Sequence, residues 1–261
     1  MRRSLNVPLV CVGIVFAGLL VGAAPLRAPS VPLVTVDPFF SVWSPSDKLA
    51  DVSTVHWSDQ AQPMTALLRV DGQTYRLMGA EPADAPALPQ VSCTVLPLRT
   101  ICHFKGTAVE ADLTFATPLM PENLDVFARP VTYVTLSVTA LDGKAHAVQF
   151  YYDVGGEIAV GNDSQRVVWQ TEQAKGLTAV RLGRDQQPVL GHSGDRIRVD
   201  WGWFWLAAPE AGATVQAAAG LDARKLFSET GKLAANVPKM PACVKESRPV
   251  LAFVRDLGSV K

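Results

Sequence analysis

Short runs of alternating apolar and polar residues, separated by turn residues, recur along most of the chain and constrain its fold more than any other feature. Side chains alternate between the two faces of a β-strand, so each run predicts a strand. Many strands of this length at near-regular spacing are typical of an antiparallel sandwich. The sequence therefore predicts an all-β protein with a large, supersandwich-like antiparallel β-sandwich. The runs after Pro89 are 91–96, 100–104, 109–115, 131–141, 147–154, 166–170, 178–182, 197–206 and 213–219.

Two aspartate-glycine pairs and one helical segment refine this prediction. Asp71-Gly72 and Asp142-Gly143 are each flanked by strand-like runs, and such pairs are typical of hairpin turns. A short helix is predicted to begin at Asp222, a favourable N-cap, and to end before Pro238. A last apolar strand follows at 250–254, close to the end of the chain, and we expect natural relatives to continue beyond it.

Composition excludes several classes of protein. The chain has 261 residues, 48% of them hydrophobic, with 24 basic and 24 acidic side chains. An apolar fraction of this size excludes intrinsic disorder, and the balanced charge argues against a nucleic-acid partner. The sequence contains no H-E-x-x-H, P-loop or G-x-G-x-x-G motif, so we expect no metal and no cofactor.

The amino terminus has the pattern of a secretory signal peptide. Arg2 and Arg3 precede an uncharged apolar run at 7–24, which ends in small residues. Cleavage after Ala23 predicts a secreted or periplasmic protein with no stable membrane anchor. A membrane anchor is the alternative, although the run contains proline and glycine and has marginal length for spanning. The chain thus divides into a signal peptide (1–23), an amino-terminal segment (24–85) and a β-sandwich domain (86–261).

Three cysteines remain after the signal peptide, namely Cys93, Cys102 and Cys243. An odd number leaves two alternatives in an oxidising compartment. Either one pair forms a disulfide, or all three are buried small side chains. Cys93 and Cys102 are the favoured pair because they are close enough to join two short neighbouring strands.

Three aromatic side chains in one run form the first candidate binding site. If 197–206 is a strand, Trp201, Trp203 and Trp205 lie on one face, where they could stack against sugar rings. The alternative is that they fill the core or an interface with a neighbouring domain.

A polar and aromatic loop at 37–57 forms the second candidate site. Asp37, Asp47 and Asp51, together with Trp43, could orient a polar substrate. Aspartates also stabilise turns by accepting hydrogen bonds from their own backbone, and that structural use is the alternative.

Several of these segments resemble the amino-terminal β region of the secreted glutaminase A family, a group of six-hairpin glutaminases. The resemblance covers nearly the whole chain after the signal peptide. The residues that carry it are VTVDPFFSVWS at 34–44, DKLAD at 47–51, RVDGQTYRLMG at 69–79, TFATP at 114–118, LDVFARPVTY at 124–133, DWG at 200–202 and LAF at 251–253.

The resemblance implies a β region followed by a larger six-hairpin α-toroid that hydrolyses L-glutamine to L-glutamate and ammonia. This sequence ends after the β region, so no catalytic residue of the toroid has a matching position in it. We therefore expect a non-catalytic portion that associates with such a toroid in cis or in trans. The alternatives are a stand-alone carbohydrate- or ligand-binding module and a scaffold for a separately encoded catalytic domain.

Overall fold

A computed structural model describes residues 28–174, 176–233 and 237–261. The predicted signal peptide at 1–23 therefore lies outside the described residues. Strands make up 48% of the structure, and the prediction of an all-β protein is confirmed.

Sixteen strands run through the described residues. In chain order they are β1 (Val31–Thr35), β2 (Ser41–Ser44), β3 (Val55–His56), β4 (Met64–Val70), β5 (Gln73–Met78), β6 (Gln90–Leu96), β7 (Arg99–Lys105), β8 (Val109–Ala116), β9 (Tyr133–Ala140), β10 (His146–Gly155), β11 (Arg166–Ala174), β12 (Leu177–Arg184), β13 (Phe204–Pro209), β14 (Ala213–Ala219), β15 (Ala242–Cys243) and β16 (Pro249–Val260). The helices are α1 (Leu124–Phe127), α2 (Gly220–Thr230) and α3 (Val244–Ser247), with a 3₁₀ turn at Gly156–Ala159.

The strands form four separate sheets. Their orders are β1-β2-β3, β14-β16-β10-β4-β5 (the central sheet), β13-β12-β11-β15 (the tryptophan sheet) and β6-β7-β8-β9 (the disulfide sheet). The predicted sandwich is therefore wrong, since the arrangement is closer to a four-bladed propeller. Alternation identifies a strand but not its neighbour, and for this reason the sequence did not reveal how the strands are divided among sheets.

The central sheet is buried on both faces. A core cluster on one face draws side chains from all four sheets, among them Val42, Leu68, Phe115 and Leu182. On the other face, Phe227 of α2 packs against Tyr151 with ring centres 5.2 Å apart. Burial on both faces explains why β4 and β10 contain nearly unbroken buried runs instead of alternation.

The two predicted hairpins have different outcomes. Asp71-Gly72 joins the paired strands β4 and β5, and both residues have positive φ, as this turn requires. Asp142-Gly143 does not join a hairpin, because β9 pairs with β8 whereas β10 pairs with β4 and β16.

The helix predicted to begin at Asp222 is present as α2, which begins two residues earlier. It ends before Gly231, which adopts a left-handed conformation and whose N–H donates to the carbonyl of Phe227. The predicted strand at 250–254 is the first half of the longer strand β16, which lies between β14 and β10.

The structure joins Cys93 and Cys102 by a disulfide between β6 and β7, where the two residues lie directly opposite each other. Cys243 is a free, half-buried thiol in β15. The predicted division near residue 86 stays a prediction. Among the described residues, the helices are all too short or too polar to cross a bilayer.

Candidate functional site

Two exposed tryptophans lie on one face of the tryptophan sheet. Trp203 is 39% exposed and Trp205 is 48% exposed. Trp205 lies opposite Arg181 of β12, and Arg181 lies opposite Gln170 of β11. Because directly paired residues point to the same face of an antiparallel sheet, these three side chains form one row across three strands.

Arg181 is held in place between the two indoles. Its Nε lies 3.2 Å from Oε1 of Glu172, and its Nη2 donates to Oε1 of Gln170 at 2.6 Å. Its Cζ lies 4.5 Å from the ring centre of Trp203 and 5.8 Å from that of Trp205. These distances place the cation within range of both aromatic rings. The ion pair with Glu172 leaves this part of the surface without net charge.

Gly183 makes room for the ring of Trp203. A Cβ atom at this position would lie 2.8 Å from Cε3 of Trp203 and 2.7 Å from the carbonyl oxygen of Gly202. Both distances are shorter than real Cβ contacts allow, so a larger residue would displace the indole. The ring of Trp203 therefore lies directly against strand β12.

The opposite face of β13 faces the core. Phe204 contacts Phe40 edge to face, with ring centres 5.9 Å apart. This inward side chain between Trp203 and Trp205 orients both indoles outward, as strand alternation requires.

The predicted row of three tryptophans is reduced to two. Strand β13 begins at Phe204 and not near residue 197. Gly202 has a φ of 81°, a conformation that interrupts the extended backbone between Trp201 and Trp203. Trp201 is half-buried. The preceding Asp200 is buried and forms an ion pair with Arg184, a partner that the sequence did not indicate.

Two carboxylates of the second candidate site, those of Asp37 and Asp51, contact nearby parts of their own loop. Oδ1 of Asp37 accepts hydrogen bonds from the backbone N–H groups of Phe39 and Phe40, at 2.7 and 2.9 Å. Oδ2 of Asp51 accepts one from Oγ of Ser46 at 3.3 Å. These contacts agree with the structural alternative for aspartates in turns.

The other two residues of this site also make local or structural contacts. Nε1 of Trp43 donates to Oγ of Ser41 at 2.8 Å, and the carbonyl oxygen of Asp47 accepts from Nε2 of Gln90 at 2.8 Å. A role in substrate binding for Asp37, Trp43, Asp47 or Asp51 stays a prediction. In the described part of the chain, histidine, cysteine, aspartate and glutamate side chains form no group of three or more that could hold a metal ion.

A buried ionic cluster connects helix α2 to the central sheet. Arg224 donates to both carboxylate oxygens of Asp153, at 2.7 and 2.8 Å, and to Oε2 of Glu81 at 2.5 Å. The hydroxyl of Tyr151 donates to Asp153 at 2.5 Å. Burial acts to lower the pKa of Arg224, but the adjacent Asp153 raises it overall. Burial, reinforced by Asp153, raises the pKa of Tyr151 well above its usual value.

The sequence did not predict this cluster. Arg224 and Asp153 are 71 residues apart, and no local pattern indicates that two such distant residues pair.

His146 connects the turns at Asp71-Gly72 and Asp142-Gly143, which were predicted from the sequence to be two separate hairpins. Its Nδ1 lies 2.6 Å from Oδ2 of Asp71, and its Nε2 lies 2.9 Å from Oδ1 of Asp142. Hydrogen bonds to Asp71 and Asp142 raise the pKa of His146. The same bonds lower the pKa of each aspartate.

An exposed apolar surface lies between β8 and β9, and we call it the 120–133 surface. Helix α1, within this connection, buries none of its residues. Leu124 is 73% exposed, the most among the large apolar side chains of this surface. The exposed apolar residues of the surface are Met120, Leu124, Phe127, Val131 and Tyr133.

The fold and these surfaces define a protein of four antiparallel sheets with an aromatic face on one sheet and an apolar surface on another. The chain belongs to the family described as "Domain of unknown function (DUF5127)", which matches residues 98–261. Residues 21–92 match a second family, described as "Domain of unknown function (DUF4964)".

Two curated relatives confirm the resemblance to glutaminase A. Glutaminase A of Aspergillus oryzae is 29% identical over 256 residues, which is 94% of this chain and 37% of that protein. A probable glutaminase of Arthroderma benhamiae is 26% identical over 259 residues, which is 90% of this chain and 29% of that protein. The chain thus corresponds to an amino-terminal portion of glutaminase A-type proteins and spans about a third of their length.

Proposed function

We propose that this chain is the exported, non-catalytic β region of a glutaminase A-like protein, and that hydrolysis of L-glutamine belongs to a six-hairpin toroid. The observation that carries the proposal is the unequal coverage of the relatives. The alignments include 94% and 90% of this chain but 37% and 29% of the two relatives. Most of the length of a named glutaminase therefore lies outside the part that this chain matches.

The contacts of the candidate carboxylates support a non-catalytic role. A general acid or base must reach the proton that it transfers in a bound substrate. Asp37 and Asp51 instead accept hydrogen bonds from their own loop, and Asp153 is buried against Arg224.

The 120–133 surface supports association with a toroid, in cis or in trans. Contiguous exposed apolar surface is characteristic of interaction sites, and an interface between domains buries about 600–1,500 Å². Leu124, Phe127 and Tyr133 expose 73%, 46% and 56% of their surface within ten residues of chain. The charged residues 2 and 3, followed by the apolar run, support export before this association takes place.

An assay of ammonia release from L-glutamine tests the non-catalytic role. We expect purified 24–261 to release no more ammonia than a buffer control, while a complete glutaminase relative releases it readily. Turnover by 24–261 that rises in proportion to its concentration would overturn the proposal.

Co-elution tests the docking role of the 120–133 surface. The probe is the part of the Aspergillus oryzae relative that lies outside the aligned region. We expect 24–261 to co-elute with this probe and the variant Leu124→Asp/Phe127→Asp to elute alone. Val189→Asp is the matched control, because Val189 is 62% exposed on a different loop. Failure of unaltered 24–261 to co-elute, or equal co-elution of both variants, would contradict docking at this surface.

A further inference from the structure

We propose that the exposed face formed by Trp203, Trp205 and Arg181 binds a neutral oligosaccharide whose sugar units are joined through equatorial bonds. This face lies on the tryptophan sheet and shares no residue with the 120–133 surface. The inference is therefore independent of the proposed glutaminase association.

The two indoles are exposed and rigidly held. Tryptophan is highly buried on average, but these two residues are 39% and 48% exposed on successive outward positions. Trp203 lies against the backbone at Gly183, and Phe204 anchors the strand from the opposite side. The rings are thus held in position before any ligand binds, which reduces the entropy lost on binding.

The spacing of the two indoles suits an extended sugar chain. Residues i and i+2 of a strand are about 7 Å apart. Trp203 and Trp205 are two positions apart at the start of β13, so one sugar chain can contact both indoles. Sugars linked through equatorial bonds present flat faces of C–H groups, which can pack against the aromatic surface that Arg181, lying between the two rings, leaves exposed.

The groups around the two indoles carry no net charge. Arg181 and Glu172 form an ion pair at 3.2 Å, so the face offers hydrogen-bonding groups without net charge. Gln170 adds an exposed amide beside them. These hydrogen-bonding side chains suit the hydroxyl groups of a sugar. A nucleic acid would require an excess of basic side chains, which this face lacks.

Titration of purified 24–261 with cellohexaose and with chitohexaose, followed by tryptophan fluorescence and calorimetry, tests the inference. We expect at least one of these two probes to bind and to change the emission of the protein. Trp203→Ala and Trp205→Ala should each weaken that binding about fivefold to tenfold, the scale expected for one aromatic contact. Thermal unfolding of each variant verifies that it is folded.

Trp57→Ala is the matched control, since Trp57 is 44% exposed but follows β3 in another sheet. It should bind the sugar as the unaltered chain does. Absence of binding by both probes at millimolar concentration would overturn the inference. Equal weakening by Trp57→Ala, or unchanged binding by both Trp203→Ala and Trp205→Ala, would also overturn it. Loss of toroid co-elution in Trp203→Ala without any sugar binding would instead assign this face to a protein partner.

Discussion

Replacing Arg224 by methionine tests whether the buried ion pair with Asp153 fastens helix α2 to the central sheet. Asp153 is completely buried and Arg224 is 4% exposed. The guanidinium gives Asp153 two charge-assisted hydrogen bonds, at 2.7 and 2.8 Å. Methionine retains the apolar part of the side chain but donates no hydrogen bond. The carboxylate would therefore stay buried without its cationic partner, with only the hydrogen bond from Tyr151 remaining among those described above.

The expected loss of stability is large because removing one partner of a buried ion pair costs more than replacing both partners with apolar residues. Removal of one partner costs about 3–5 kcal/mol, whereas apolar replacement of both partners is often nearly neutral. We expect Arg224→Met to lower the free energy of unfolding by about 3–5 kcal/mol. The double variant Arg224→Met/Asp153→Leu should lose less than the sum of the two single changes.

Urea denaturation at pH 7, followed by tryptophan fluorescence and far-ultraviolet circular dichroism, measures these differences. Arg248→Met is the matched control. Arg248 lies 3.0 Å from Glu81, but its side chain is 45% exposed, so its loss should cost about 0–1 kcal/mol. The reasoning is refuted if Arg224→Met costs no more than Arg248→Met, or if the effects of Arg224→Met and Asp153→Leu simply add.

Three further changes have defined outcomes. His146→Gln should lower the thermal unfolding midpoint more at pH 5 than at pH 9, because two carboxylates favour the protonated ring. Gly183→Ala should cost about 1–3 kcal/mol in urea denaturation and alter the emission of Trp203, whose ring would lie 2.8 Å from the new methyl group. Cys93→Ser should cost about 2–3 kcal/mol under oxidising conditions, because the bridge to Cys102 closes a loop with a sequence separation of 9. Thermal unfolding with and without a reducing agent measures the last effect.

The pH window for His146→Gln follows from the direction of each pKa shift. The folded-state pKa of His146 is raised above 6.5, so its stabilisation is complete below that value and disappears as the pH rises through the folded pKa. The pKa values of Asp71 and Asp142 are lowered from 3.8. Their contribution to the stability of the fold is therefore lost as the pH falls through their folded-state pKa values. Equal losses of the unfolding midpoint at pH 5 and pH 9 would contradict this account.

Gly161→Ala serves as the control for Gly183→Ala. A Cβ atom at Gly161 would meet its nearest neighbour at 3.5 Å, which is an ordinary contact. A similar cost for both glycine changes would contradict the assigned role of Gly183. The disulfide is predicted to stabilise the fold. This prediction is wrong if the reducing agent does not change the unfolding midpoint of the unaltered chain.

Local features of this fold could be predicted from the sequence. The period-two alternation predicted strands, and Asp71-Gly72 predicted the turn between β4 and β5, because both signals depend on neighbouring residues. Cys93 and Cys102 are separated by one short turn, so their strands pair and bring the two thiols opposite each other. Asp37 and Asp51 likewise have the local contacts that short polar side chains make in turns.

Long-range features could not be predicted. Asp142-Gly143 has the residues of a hairpin turn, but the strands on its two sides pair with different partners. The pairing of Arg224 with Asp153 depends on how α2 packs, which no local pattern reports. Gly202 interrupted the predicted row of indoles, because a glycine inside a strand-like run is compatible with both a strand and a turn.

The two proposed surfaces belong to different sheets, so their roles can be separated experimentally. The 120–133 surface is apolar and connects strands of the disulfide sheet, as expected for contact with another folded domain. The aromatic face of the tryptophan sheet instead combines exposed rings with an ion pair and an amide, as expected for a hydroxyl-rich ligand. The two proposals therefore assign different residues to the toroid and to the sugar chain. Variants at Leu124 should therefore leave sugar binding unchanged, and variants at Trp205 should leave co-elution with the toroid unchanged.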